Sequence, residues 1–185
     1  MRTLAITQNI TVDGAVEMLG DWFDPQAQGG ADNTDLLDEL HRQQGAADAL
    51  LLGRQTFESF RSFWPEQRDD ATGISDYLNR VDKYVVSSTL ADPRWQNTTV
   101  LSDDPVDKVR ELKQRAGRDI VVTGSISLCH TLIAAGLVDE YRLFTYPVAQ
   151  ASGRRLFPDD HLSGLSLLDG RVFDSGITYC RYAPA

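Results

Sequence analysis

Short apolar runs alternate along this chain with stretches that have helical periodicity. Runs of a few apolar residues bounded by Gly, Pro or hydroxyl residues are typical of strands, and continuous ones of buried strands. The predicted strands are Leu4–Thr7, Ala49–Leu52, Lys83–Val86, Thr98–Leu101, Ile120–Val122, Tyr141–Tyr146, Leu165–Phe173 and Ile177–Tyr182. Asp13-Gly14, between short apolar pairs, predicts a hairpin turn after the first strand.

The stretches between the strands carry apolar residues at the three- and four-residue spacing of amphipathic helices. Helices are predicted to begin near Asn33, Arg54, Ile74, Pro105 and Ile126. Asp32 or Asn33 would cap the first of these helices, and Gly45 would end it.

The order of these elements predicts the fold class. Because strands and helices alternate in the middle of the chain, the central strands should be parallel to one another. The last two strands, joined near Asp174-Ser175-Gly176, should form an antiparallel hairpin. The sequence therefore predicts an α/β fold with a mixed sheet of about eight strands flanked by helices, as one domain over residues 1–185.

Composition and charge narrow the classes of function. Hydrophobic residues make up 42% and charged residues 24% of the 185 positions, as in ordinary soluble proteins. A formal net charge of −9 disfavours a nucleic-acid or anionic-membrane surface, and no apolar run is long enough to span a membrane. Cys129 and Cys180 form no C-x-x-C pattern, so a reduced, cytoplasmic setting is the simplest interpretation. Because His41, His130 and His161 lack the spacing of metal ligands, we expect no metal site.

Three central strands end in small, hydroxyl or basic residues. These ends are Gly53–Thr56, Ser87–Thr89 and Thr123–Ser125. In open α/β sheets, ligands bind beyond the carboxyl ends of the strands, and helix N-termini favour phosphate. Each segment alone is more often a helix cap, a solvated charge or a loop, but together they favour an anion-binding cleft. A dinucleotide would place its pyrophosphate at the helix N-termini and a 2′-phosphate beside Arg54. The Rossmann fingerprint and the P-loop are both absent.

Four segments in order carry a family resemblance: LLGRQTFESF, YVVSSTL, DIVVTGSISLCHTLIAAGLVDEYRLF and PVAQASGRRLFPDD. They resemble the dihydrofolate reductase-like superfamily, in particular the branch similar to the reductase half of the bacterial riboflavin-pathway deaminase-reductase. The resemblance covers essentially the whole chain. It implies an eight-stranded mixed sheet, NADPH as cofactor, a small heterocyclic substrate and a homodimer.

The resemblance also implies roles for particular residues. Arg54, Ser87 and Ser88 would hold the adenosine 2′-phosphate. Asp13-Gly14 would lie near the nicotinamide. The remaining cofactor contacts, mostly to the pyrophosphate, would come from Gly53, Thr56, Thr123, Gly124, Ser125, Ile126, Ser127 and Leu128. The sequence departs from the family pattern at Ile126, where a second Gly is common, and at Ala151-Ser152-Gly153, where G-x-G is usual.

The chemistry is less constrained than the cofactor. Reduction of a C=N bond needs a proton donor. The candidates are Asp32, Asp35 and Asp38 of the first helix, among which no motif selects one, and Asp13 is the alternative. A helix cap or a solvated surface charge is the more common role for each of the helix acids. Trp22, Phe57 and Tyr146 are candidate walls of a flat pocket, with core packing an equal alternative for Phe57.

Two hypotheses follow for the function. The first is an NADPH-dependent reductase of a pterin-, pyrimidine- or folate-like molecule, with no deaminase signature present. If that substrate carries a ribose phosphate, Arg154 and Arg155 could bind it, or they are solvated loop charges. The second hypothesis is a non-catalytic sensor or scaffold that keeps the nucleotide cleft.

Overall fold

One sheet of eight strands organises the molecule in the computed structural model, which describes residues 1–23, 32–67, 70–159 and 163–185. The strands are β1 (Leu4–Thr11), β2 (Ala47–Gly53), β3 (Asp82–Val86), β4 (Thr98–Leu101), β5 (Asp119–Val122), β6 (Glu140–Tyr146), β7 (Leu165–Val172) and β8 (Thr178–Pro184). Their order across the sheet is β4-β3-β2-β5-β1-β6-β8-β7. The first six are parallel, and β8 runs antiparallel between β6 and β7. This confirms the predicted mixed sheet and its antiparallel C-terminal pair.

Five α-helices and one 3₁₀ turn are assigned in the described part of the chain. They are α1 (Thr34–Ala46), α2 (Arg54–Phe63), the 3₁₀ turn Trp64–Glu66, α3 (Ile74–Arg80), α4 (Pro105–Gln114) and α5 (Ile126–Ala134). None of the helices among these residues is long and apolar enough to cross a membrane.

The helices cover both faces of the sheet. Successive residues of a strand point to opposite faces, so Leu51 of β2 packs with α4 and α5 while Leu50 and Leu52 pack under α2 and α3. A third cluster lies under α1, where Leu36 meets Phe144 of β6. The central strands β1, β2 and β5 are thus buried between layers, as the apolar runs in them predict.

Two local predictions are wrong. Gly45 does not end α1, because the helix continues to Ala46. Asp13-Gly14 does lie in a tight turn, closed by the Gly14 amide donating to the Thr11 carbonyl at 2.9 Å. The chain then does not return along β1, and Ala15 instead forms an antiparallel bridge with Arg155.

Candidate functional site

The helices α2 and α5 begin side by side. The Gly53 amide donates to the Gly124 carbonyl at 3.0 Å, and neither helix has a side-chain cap on its free N–H groups. A methyl group at Gly53 would overlap the Ser125 hydroxyl, and one at Gly124 (φ +140°) would lie 2.7 Å from Thr56 Oγ1. The peptide bond between Gly124 and Ser125 is cis. Because both positions require glycine, the two N-termini converge closely, and their N–H groups and dipoles favour an anion there.

A cavity of about 810 Å³ opens beside these N-termini. Its size lies within the range typical of small-molecule sites. Five predicted cofactor residues line it: Thr56, Thr123, Gly124, Ser125 and Ile126.

Three further predicted cofactor residues, Gly53, Ser127 and Leu128, do not line the cavity. Gly53 packs directly behind Ser125. Ser127 is exposed, with its hydroxyl 3.0 Å from the Ser125 hydroxyl, and Leu128 is buried in the core.

Arg54 contacts the loop after β3 through Thr89 and not through Ser87 or Ser88. Its Nη1 donates to Thr89 Oγ1 at 2.5 Å and its Nε to Glu58 Oε1 at 3.0 Å, with the side chain half-exposed. Ser87 is buried, and its hydroxyl oxygen accepts from the Thr89 and Leu90 amides. Ser88 is exposed. Ser87 therefore shapes this loop, and the hydroxyls on its surface are those of Ser88 and Thr89.

The walls of the cavity combine aliphatic side chains with six aromatic rings. Rings come from three helical elements, β6 and the loop after β1: Phe23, Phe60, Phe63, Trp64, Tyr77 and Phe144. Carboxamides and hydroxyls supply most of the polar groups, among them Asn9, Gln43, Gln44, Gln55 and Ser59. The Thr7 hydroxyl, also at the cavity, is buried without a partner in the described structure. Such a surface suits a flat ring with hydrogen-bonding edges.

Only Glu17 and Arg154 carry charge among the described cavity residues. Arg154 donates Nε and Nη2 to Glu17 Oε1 at 2.9 and 2.7 Å, and its amide donates to Oε2 at 3.1 Å. These hydrogen bonds lower the pKa of Glu17. The pair is thus a closed ion pair with no net charge.

None of the three predicted wall residues, Trp22, Phe57 and Tyr146, lines the cavity. Trp22 and Tyr146 pack edge-on with their ring centroids 5.3 Å apart, and Phe23, against both, is the ring that lines the cavity. Phe57 is fully buried and packs against Trp95 with centroids 5.8 Å apart. The core alternative for Phe57 is therefore correct.

Neither Asp13 nor Asp35 has the surroundings of a proton donor. The Asp13 carboxylate accepts from the Thr11 hydroxyl at 2.5 Å and from the Gln150 and Ala151 amides at 3.2 and 2.7 Å. These bonds lower the pKa of Asp13 to about 2. Asp35 accepts from the Leu36 and Asp174 amides. Both carboxylates hold backbone in place outside the cavity, so the prediction that they donate a proton is not supported.

The helix does carry a buried carboxylate, but it is Glu39, which the sequence pattern did not single out. Burial raises its pKa, while hydrogen bonds from Arg42 and Gln43 and the charges of Arg42 and Arg171 lower it below its usual value overall. Arg42 Nε lies 2.8 Å, Gln43 Nε2 2.7 Å and Arg171 Nη1 3.2 Å from its oxygens. The sequence does contain a signal for this network. Arg42 and Gln43 lie three and four positions after Glu39, which places them on the same face of a helix.

Metal and thiol chemistry find no support in the described residues. No group of three or more His, Cys, Asp or Glu side chains there could hold a metal ion. His41 bonds to the Thr72 carbonyl and His130 to the Arg155 carbonyl, while His161 lies outside the described residues. Burial raises the pKa of Cys129 to about 12, which makes its thiol a poor nucleophile.

Comparisons with known proteins agree with this geometry. The family model described as "RibD C-terminal domain" matches residues 2–179. An uncharacterised protein, YyaP of Bacillus subtilis (strain 168), is 30% identical over 187 residues, covering 98% of this chain and 94% of that protein.

Two solved structures show the same fold at low identity. A pyrimidine reductase-like protein from Corynebacterium diphtheriae superposes with a TM-score of 0.70 at 17% identity, over 100% of this chain and 92% of that one. Dihydrofolate reductase from Enterococcus faecalis, in complex with NADP(H), superposes with a TM-score of 0.61 at 16% identity, over 98% and 96%. The fold is thus dihydrofolate reductase-like.

Proposed function

The chain belongs to the RibD C-terminal domain family, and on that premise we propose that it is an NADPH-dependent reductase. It would transfer a hydride to a small heterocycle of pterin, pyrimidine or folate type. The observation that carries this proposal is the convergence of two uncapped helix N-termini beside a largely apolar cavity lined by six aromatic rings. That arrangement offers a place for a pyrophosphate next to a place for a flat ring.

NADPH would lie across the strand ends. Thr56 and the turn Gly124–Leu128 would hold the pyrophosphate, since hydroxyls and free N–H groups meet there. Arg54, with Ser88 and Thr89, would hold the 2′-phosphate on the adjoining surface. When bound, the nicotinamide would supply the hydride, and the protein would set its ring against the substrate carbon.

Protonation would not come from a carboxylic acid of the described cavity residues. The one carboxyl group among them, Glu17, is held ionised by Arg154. We propose that the proton reaches the substrate from water in the open part of the cavity, and that the chain contributes orientation through its carboxamides and hydroxyls.

The cofactor assignment is tested by titrating the intrinsic tryptophan fluorescence with NADPH and with NADH. NADPH should bind at least about tenfold more tightly, because hydrogen bonds to a charged group contribute about 1.5–3 kcal/mol. Arg54→Ala should remove most of this preference. Arg110→Ala, an equal charge change on the exposed surface of α4, should leave it intact. Equal affinities for the two nucleotides in the wild-type protein would contradict the assignment.

A sensor or scaffold remains the second candidate, because neither Asp13 nor Asp35 is placed as a proton donor. NADPH oxidation with a panel of dihydropterins and aminopyrimidinones separates the two. Turnover with any member supports the reductase, and tight NADPH binding without turnover supports the sensor. A homodimer and a cytoplasmic location stay predictions of the family resemblance and the cysteine usage.

A further inference from the structure

One face of the sheet becomes more exposed from its centre towards its C-terminal edge. Residues paired across neighbouring strands point to the same face, and one row of them crosses β1, β6, β8 and β7: Ile6, Tyr141, Tyr182 and Leu167. Ile6 and Tyr141 are buried in the core cluster with α4 and α5. Tyr182 is half-buried, and Leu167 is 61% exposed. The helices therefore cover this face at β1 and leave it open at β7.

The open part of this face is apolar. We define the open face by six half-buried or exposed residues on β6, β8 and β7: Leu143, Cys180, Tyr182, Leu165, Leu167 and Val172. The most exposed of them is Val172, at 76%. The charged residues of the three strands all lie on the opposite face: Glu140, Arg142, Asp169, Arg171 and Arg181. The open face thus carries no charge on these strands.

The open face is large for the surface of a monomer. Three strands about 4.8 Å apart, each with about seven residues at 3.4 Å, span a flat area of roughly 350 Å². The largest apolar patch on a typical monomer covers about 300–600 Å² and is often functional. A standard protein interface buries about 800 Å² on each partner, and its apolar core is only part of that area. The open face therefore has the size of an interface core.

The charge of the chain favours a second copy as the occupant of the open face. With a formal net charge of −9, two copies repel each other over most of their surface. Contact through the open face would bring no charged side chain of its three strands into the interface, so it avoids the cost of burying an unpaired charge. An apolar patch is also complementary to itself, as a two-fold interface requires.

From these observations we propose that the open face is the interface of a homodimer in which two sheets pack face to face. Sheets packed in this way lie about 10 Å apart and interdigitate their apolar side chains. Pairing of the two β7 edges is the alternative geometry. The strand is poorly suited to it, because its register shifts between Leu167 and Asp169 and such bulges disrupt an edge.

The proposed interface leaves the nucleotide site free. Thr7 and Asn9, which line the cavity, alternate along β1 with Ile6 and so point to the opposite face of the sheet. The dimer should therefore bind NADPH as the single chain does.

Sedimentation velocity of the purified protein tests the proposal. At about 50 µM, above the micromolar dissociation constants of the weaker standard interfaces, the wild type should have twice the chain mass of 20.6 kDa. Leu167→Lys and Val172→Lys each place a charge inside the apolar contact, so each should halve that mass. Both side chains are exposed in the single chain, so neither variant should unfold it, which circular dichroism checks.

Ser166→Lys is the matched control. Ser166 is exposed on the same strand but pairs with Ala183, whose row points to the opposite face. The same added charge should therefore leave the dimer intact.

Cys180 reports whether the dimer uses this face. It is half-buried on the open face, whereas Cys129 is buried in the core. An aromatic disulfide reagent should therefore modify Cys180, about tenfold more slowly in the wild-type dimer than in Val172→Lys, because only the minor fraction of free chains reacts.

Three results would overturn the proposal: a single-chain mass for the wild type at this concentration, a dimer that persists in both Leu167→Lys and Val172→Lys, or a dimer in which Cys180 reacts as fast as in the monomeric variant. The last result would place the interface on another surface. NADPH titration is independent of all three, so a failure of the wild type to bind NADPH would count against the proposed function alone.

Discussion

Substitution of Gly53 by Ala tests whether the two helix N-termini must touch. The residue has an ordinary extended backbone (φ −77°, ψ 158°), so alanine adds no conformational strain. Its methyl group would overlap the Ser125 hydroxyl, and it would lie 2.9 Å from Ser125 Cβ and 3.0 Å from Ser125 N. The last contact is with backbone, so a rotamer change alone cannot relieve the overlap.

The magnitude follows from overpacking. Extra methyl groups forced into a packed site cost about 1–3 kcal/mol. For a chain of this size a loss of about 2 kcal/mol lowers the melting temperature by about 4–8 °C. Because relief requires Ser125 and the start of α5 to move, the same substitution should weaken NADPH binding by about tenfold or more.

Gly45→Ala is the matched control. Gly45 lies in α1, is exposed, and has no atom within 4 Å of the position of an added Cβ. Replacing a helical glycine by alanine should stabilise by about 0.5–1 kcal/mol. Differential scanning calorimetry and NADPH titration of both variants give the comparison.

Ser125→Ala in the Gly53→Ala background refines the measurement. It removes the overlapping hydroxyl but leaves Ser125 Cβ and N in place, so it should restore part of the stability and not all of it. If Gly53→Ala has the melting temperature of the wild type and binds NADPH equally well, the close approach of the two helices does not affect the nucleotide site.

Two further perturbations probe charged groups elsewhere. Burial lowers the pKa of Lys83 to about 8 in the folded state. Between pH 8 and 10.5 the unfolded chain therefore keeps a proton that folded Lys83 has released, and this residue should contribute a rise of roughly 3 kcal/mol in the free energy of unfolding over that range. Urea titrations across that range should lose this rise in Lys83→Met, and an unchanged slope would contradict it. Asp13→Asn should loosen the loop at Gln150 and Ala151 without moving the pH dependence of turnover, because a carboxyl with a pKa of about 2 donates no proton near neutrality; a pH profile shifted by this variant would restore Asp13 as the donor.

The strands were predictable because burial on both faces leaves a continuous apolar run. Ala49–Leu52 and Ile120–Val122 fall inside β2 and β5 for this reason. The strand ends were predictable too, since parallel strands bring their carboxyl ends to one edge of the sheet. Thr56 and Ser125 therefore meet at the cavity as the sequence indicated.

The cavity walls were harder to predict. Helical periodicity indicates that a side chain points inward, but it does not indicate whether that side chain packs in the core or lines a cavity. Phe57 and Phe60 lie on the same helix, yet one packs in the core and the other lines the cavity. Glu39 resembles the other acids of a solvated helix in the sequence. One of its two cationic partners, Arg171, is distant in sequence and lies on β7. Contacts of this kind depend on tertiary structure and leave little trace in a local pattern.

The position of β1 in the sheet also determines the order in which the strands can pair during synthesis. This strand is made first, but its neighbours β5 and β6 pair with it through residues more than a hundred positions later, Val122 and Tyr141 opposite Ile6. At roughly 5–20 residues per second, a newly made β1 waits on the order of ten seconds for both partners. The centre of the sheet therefore closes only after β2, β3 and β4 have been made, and before β7 and β8 complete the other edge. Slow folding, with an apolar strand exposed and unpaired, follows from this topology.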